Sequence, residues 1–136
     1  MTPYRAPGWL PGGQAQTLWP LLIKAPPLPL RRERWDTPDG DFIDVDHLDA
    51  PAGAPLLVLF HGLEGSARSH YAISTAHACK RQGWRLAIPH FRGCSGELNR
   101  RPRAYHSGDS DEIDWILRRL QQATGGQRLH AAGISL

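Results

Sequence analysis

The 136-residue sequence predicts an α/β fold, with a parallel sheet flanked by crossover helices. Three observations carry that expectation. Leu56-Leu57-Val58-Leu59-Phe60 is a continuous apolar run with no polar residue for a wet face, so it reads as a strand covered on both sides. From residue 55 onward strand-like and helix-like segments alternate, which implies right-handed crossovers between parallel strands. Hydrophobic residues make up 40% and charged residues 21%, the balance of a folded domain rather than of a disordered chain.

Residues 1–30 contain seven of the twelve prolines and read as an arm, because proline interrupts both helix and sheet ladders. One short helix is predicted around Gln16 to Ile23, between Gly12-Gly13 and Pro26-Pro27. Trp9, Trp19 and Trp35 lie in or just after this arm and are expected to dock it on the body. Arg31 to Thr37 and Phe42 to Leu48 follow as two strands around Pro38-Asp39-Gly40, a hairpin signal. Ile43 and Val45 alternate with Asp44 and Asp46, which places both aspartates on a solvated face.

After the apolar strand, Ser69 to Gln82 reads as a helix with Ser69 as N-cap and Gly83 as terminator. Trp84 to Pro89 is a second buried strand. Asp109 to Ala123 is a helix whose Asp109 and Glu112 have capping-box spacing and whose apolar face is Ile113, Ile116, Leu117 and Leu120. Gly125-Gly126 ends it, and Arg128 to Ile134 is the last strand. Residues 1–30 are therefore an N-terminal arm, and 31–136 the body.

Several function classes drop out. The net charge is +3, but the arginines fall in small separate groups without interleaved aromatics, so no nucleic-acid partner is expected. No apolar run approaches the ~20 residues of a membrane span, and no secretory signal pattern opens the chain. Two cysteines, Cys79 and Cys94, fit a reducing compartment, giving a cytoplasmic expectation with room for peripheral membrane association. Asp44, Asp46 and Asp49 lack the glycine and glutamate of a calcium loop, and no Cys-x-x-Cys is present, so neither metal nor cofactor is implied.

In parallel sheets chemistry collects at the carboxyl ends of strands. Gly133-Ile134-Ser135 directly follows the last strand and matches the first three positions of a nucleophile elbow, which projects its serine from a strained strand-to-helix turn. His61-Gly62-Leu63-Glu64-Gly65-Ser66 ends an earlier strand, and its glycines permit a tight turn with N–H groups aimed at an oxyanion. The candidate nucleophile is Ser135 and the candidate oxyanion donors are the Leu63 and Leu136 N–H groups. His61, with Gly62, is assigned to ordering the loop rather than to acting as base.

These motifs, together with Phe91-Arg92-Gly93-Cys94-Ser95-Gly96-Glu97, Asn99-Arg100, Pro102-Arg103 and Tyr105-His106-Ser107-Gly108, resemble the YheT-like family of α/β hydrolases. The Gly12-Gly13 and Gln16-Thr17 arm and Pro38-Asp39-Gly40-Asp41 resemble that family's N-terminal region, except that Gln14 stands where the family has histidine. The resemblance implies an α/β-hydrolase fold truncated after the elbow serine, with 31–136 as the N-terminal part of the domain. It implies carboxylic-ester hydrolysis, acyl or lipid-like, in the intact protein, with a small-molecule ester as the partner. In that family the triad aspartate and histidine follow the serine. The alternative expectation is thus that these 136 residues alone are a non-catalytic fragment or binding remnant.

Overall fold

The computed structural model describes residues 4–22 and 25–135. Its elements are α1 (Gly13–Leu22), β1 (Arg31–Asp36), β2 (Phe42–Leu48), β3 (Leu56–Phe60), α2 (His70–Gln82), β4 (Arg85–Pro89), α3 (Ser110–Ala123) and β5 (Leu129–Gly133). The sheet order is β1-β2-β4-β3-β5. β3 runs parallel to both β4 and β5, while the β1–β2 hairpin joins antiparallel through β2 and β4.

Alternation along the strands builds a core on each face of the sheet. Leu56, Val58 and Phe60 turn toward Ile116 and Leu120 of α3. Leu59, with Leu86 and Ile88 of β4, turns toward Ala72, Ala76 and Cys79 of α2. Each fully buried Leu, Val or Ile contributes ~1.5–3 kcal/mol. Gly83 closes α2 in the left-handed region at φ 68°, and the Gly83 and Trp84 N–H groups return to the Lys80 and Cys79 carbonyls.

The arm docks differently from the expectation. Trp35 alone of the three tryptophans is in the core, at 3% exposure. Trp9 and Trp19 pack edge-to-face on each other, with centroids 5.1 Å apart, and remain 65% and 37% exposed. Each indole thus has the other as an aromatic partner. Leu28 and Leu30 seat the arm instead, against the α2 side of the sheet, and the His77 ring bonds the Pro26 carbonyl at 2.9 Å. The helix spans Gly13–Leu22, and its expected end at Ile23 lies outside the described residues.

Three charge assignments are corrected. Asp44 and Asp46 are buried, not solvated, because the hairpin register sets Arg34 opposite Asp44 and Arg32 opposite Asp46. Each arginine donates two bonds of 2.8–2.9 Å to its aspartate. Burial pushes both carboxyls up, but these pairs outweigh it and hold them below the usual range. At α3, Asp109 occupies the N-cap position without a side-chain cap bond: it accepts from Arg103, while Glu112 accepts from Arg92. The expected capping box is therefore a pair of charge contacts. Ser69 likewise sits at the N-cap of α2 with no cap bond, its Oγ accepting from the Ser66 N–H at 3.1 Å.

Arg92 is the hub of the buried charge. Its guanidinium, 2% exposed, bonds Asp39 and Asp41 of the hairpin turn at 2.9 Å and Glu112 of α3 at 2.6 Å. Asp41 also accepts from the Asn99 side chain and from the Arg100 and Phe42 N–H groups. Burial opposes the Arg92 charge, yet the Glu112 and Asp39 bonds raise its pKa further above the usual arginine value. Removing one member of such a network strands the others. Arg92→Met is expected to cost about 3–5 kcal/mol in urea unfolding; a loss no larger than the ~1 kcal/mol of a surface ion pair would contradict the hub role.

Candidate active site

The β3–β5 register sets the site. Leu56 to Phe60 pair with Leu129 to Gly133, and the Ile134 N–H extends the ladder to the Phe60 carbonyl at 3.1 Å. Two residues beyond Phe60 and Gly133, the chains bring Gly62 against Ser135. A Cβ on Gly62 would lie 2.7 Å from the Ile134 carbonyl oxygen and 3.2 Å from Ser135 Cβ. Only a glycine permits that approach.

Ser135 is exposed and adopts φ 61°, a left-handed conformation that costs a non-glycine residue ~1–2 kcal/mol. Glu64, in the facing loop, has φ 50°. Two residues with a Cβ thus hold positive φ at facing strand ends, each at a conformational cost.

Hydrogen bonding within that loop is specific. The Gly62 N–H donates to the Tyr71 hydroxyl at 3.1 Å, and the Glu64 N–H to the Tyr105 hydroxyl at 2.6 Å. The Gly65 N–H closes a turn onto the Gly62 carbonyl at 2.9 Å, and the Ser66 N–H is taken by Ser69. The Leu63 N–H has no acceptor among the described residues, and the Leu63 side chain is 75% exposed.

His61 is fully buried beneath this loop. The Phe91 N–H donates to its Nε2 at 3.0 Å, so Nδ1 carries the proton and donates to the Gly62 carbonyl at 2.8 Å. Burial pushes its pKa below the ordinary histidine value, and the ring stays neutral. The Nε2 bond ties the end of β3 to the segment after β4, the Nδ1 bond fixes the adjoining Gly62 carbonyl, and neither nitrogen is free to take a proton from serine.

The structure therefore brings Ser135, Gly62 and His61 into one neighbourhood at the carboxyl ends of β3 and β5. Leu136 lies outside the described residues. No described histidine hydrogen-bonds Ser135: His90 bonds Asp46 at 2.8 Å, and His106 Nδ1 accepts from the Gly108 N–H. Sequence reasoning did not single out Tyr71, Tyr105 or Arg92 individually. For Tyr71 the signal was Gly65, where a Cβ would collide with the Tyr71 hydroxyl. Among the described residues no group of three or more His, Cys, Asp or Glu is placed to hold a metal ion.

The structure thus sets a strand-end serine in left-handed conformation beside a glycine loop. The chain belongs to the alpha/beta hydrolase fold family, whose model matches residues 55–136. It is 48% identical over 107 residues to YheT of Escherichia coli (strain K12), an esterase by name, a match covering 76% of this chain and 32% of that protein. It is 27% identical over 137 residues to phospholipase ABHD3 of Mus musculus, covering 94% of this chain and 33% of that one. An alpha-beta serine hydrolase homologue from Coxiella burnetii superposes with a TM-score of 0.61 at 17% identity, over 77% of this chain and 51% of the other. The chain thus spans about a third of the length of the curated relatives it matches. No helix among the described residues is long and apolar enough to cross a membrane.

Two outcomes follow from this geometry. Gly62→Ala is expected to cost ~1–3 kcal/mol by overpacking, read as a lower urea midpoint; an unchanged midpoint would contradict the close approach. Acidification from pH ~7 to ~5 is expected to lower stability, because the unfolded His61 takes up its proton near pH 6.5 while the buried ring resists. His47, also depressed by burial, contributes in the same window. His61→Gln should therefore shrink the pH slope without abolishing it, and an unaltered slope would contradict the assignment.

Proposed function

We propose that this chain carries the nucleophile and both oxyanion donors of a serine hydrolase that cleaves carboxylic esters of acyl or lipid-like type. The observation that carries the reading is the contact between Gly62 and a left-handed Ser135. In this reading the Ser135 Oγ attacks the ester carbonyl. Its proton passes to a base, and the carbonyl electron pair moves onto oxygen, where the Leu63 and Leu136 N–H groups receive it. Collapse of that intermediate expels the alcohol, which takes the proton from the base, and water then releases the acid from Ser135.

His61 and Gly62 order the loop, since both His61 nitrogens are already bonded. No described histidine hydrogen-bonds Ser135, so this reading assigns the base and its carboxylate partner to none of the described residues. The names of two relatives, esterase and phospholipase, support an ester as the bond cleaved. No cofactor takes part in these steps, and the substrate is a small molecule rather than a nucleic acid. A cytoplasmic site of action fits the cysteine usage.

The test is labelling by a fluorophosphonate probe, with mass spectrometry to locate the adduct, on the protein expressed from its complete gene. The expected result is one adduct on Ser135, lost in Ser135→Ala together with turnover of a short-chain nitrophenyl ester. An unlabelled, inert protein would assign the chain a non-catalytic role instead.

A further inference from the structure

The loop between β3 and α2, exposed at Leu63 and Glu64, has five successive backbone N–H groups, from Gly62 to Ser66, at the edge of the candidate site. Four have acceptors. Two of these acceptors are internal to the turn, the Gly62 carbonyl and the Ser69 Oγ. The other two are phenolic hydroxyls brought in from separate elements: Tyr71 from the first turn of α2 and Tyr105 from the segment before α3. They take the N–H groups immediately before and after Leu63.

From this we propose that Tyr71 and Tyr105 are positioning residues, clamping the peptides on either side of the Gly62–Leu63 peptide so that, in this loop, the Leu63 N–H alone is left free for the reacting oxygen. The inference rests on the ester-hydrolase reading above. A peptide plane is rigid, so fixing the N–H groups at 62 and 64 fixes the 61–62 and 63–64 planes, which flank the 62–63 peptide that carries the Leu63 N–H. The Glu64 φ of 50° is unfavourable for a residue with a Cβ, and the Tyr105 bond supplies part of what holds it there.

Each phenol is itself held. Tyr105 stacks on Phe91, with centroids 5.2 Å apart and planes at 10°, and the Phe91 N–H bonds His61 at the base of the same loop. The Tyr71 hydroxyl fills the space that a Cβ on Gly65 would need, so that glycine and that tyrosine are matched. The clamp thereby links Tyr105-His106-Ser107-Gly108 and Phe91-Arg92-Gly93 to the loop after β3.

An oxyanion donor acts only if it is already aimed where charge develops, so loosening it lowers the rate of the chemical step rather than substrate binding. Tyr71→Phe and Tyr105→Phe remove one oxygen each and keep the rings. In the protein expressed from its complete gene, each is expected to lower kcat on a short-chain nitrophenyl ester by about tenfold or more, below the ~10²–10³ of losing a donor outright. KM should stay within about twofold, the pattern of an interaction made only in the transition state. Amide hydrogen exchange should quicken at Gly62 in Tyr71→Phe and at Glu64 in Tyr105→Phe. Unchanged kcat in both variants of an active enzyme would overturn the clamp and leave the hydrolase reading standing. A rise in KM at constant kcat, or unaltered exchange at both amides, would also overturn it. Wild-type protein with neither turnover nor fluorophosphonate labelling would overturn the hydrolase reading and the clamp with it.

Discussion

The parallel pairing of β3 with β5 is the constraint on which the rest depends. It sets Phe60 opposite Gly133, and the next ladder bond, from the Ile134 N–H to the Phe60 carbonyl, carries both chains out of the sheet in step. Gly62 and Ser135 meet as a consequence of register, with no further element needed to bring them together. A slip by one residue would turn every side chain of β5 to the other face and separate the serine from its loop. The missing Cβ at Gly62 and the left-handed serine are local solutions to one close approach.

A second layer of structure keeps the surrounding strand-end segments in place. The Arg92 guanidinium joins the β1–β2 turn, through Asp39 and Asp41, to Glu112 in the first turn of α3. Asn99 and Arg100 close on the same Asp41. Phe91, the neighbour of Arg92, bonds His61 and stacks with Tyr105. The hairpin, the segment after β4 and the start of α3 are therefore tied, through one guanidinium and one aromatic stack, to the loop that faces Ser135. Exposed pairs such as Arg31 with Asp49 and Arg118 with Asp114 add little beside these buried ones.

Much of this was legible in the sequence. The apolar run at 56–60, the glycine stop at Gly83 and the apolar spacing of Ile116 and Leu120 placed β3, α2 and α3 within a residue or two. Strand-end position also marked Ser135 and the glycine loop as candidates, and the structure sets Gly62 beside Ser135. What stayed hidden involved pairing across strands and segments. Alternation alone sent Asp44 and Asp46 to solvent, whereas the hairpin register places an arginine opposite each; counting outward from Pro38-Asp39-Gly40 would have found both pairs. The spacing of Asp109 and Glu112 fits a capping box, but capping spacing does not reveal that Arg103 and Arg92 arrive from another segment. Aromatic content predicted docking for Trp9 and Trp19, yet edge-to-face packing on each other served them instead.

The central claim is that the Leu63 N–H faces an oxygen held on Ser135. A crystal structure of the phosphonylated protein, expressed from its complete gene, tests it most directly. The account predicts phosphorus bonded to the Ser135 Oγ, with the phosphoryl oxygen ~2.7–3.1 Å from the Leu63 nitrogen. A phosphoryl oxygen turned away from Leu63, or an adduct on a different side chain, would contradict it.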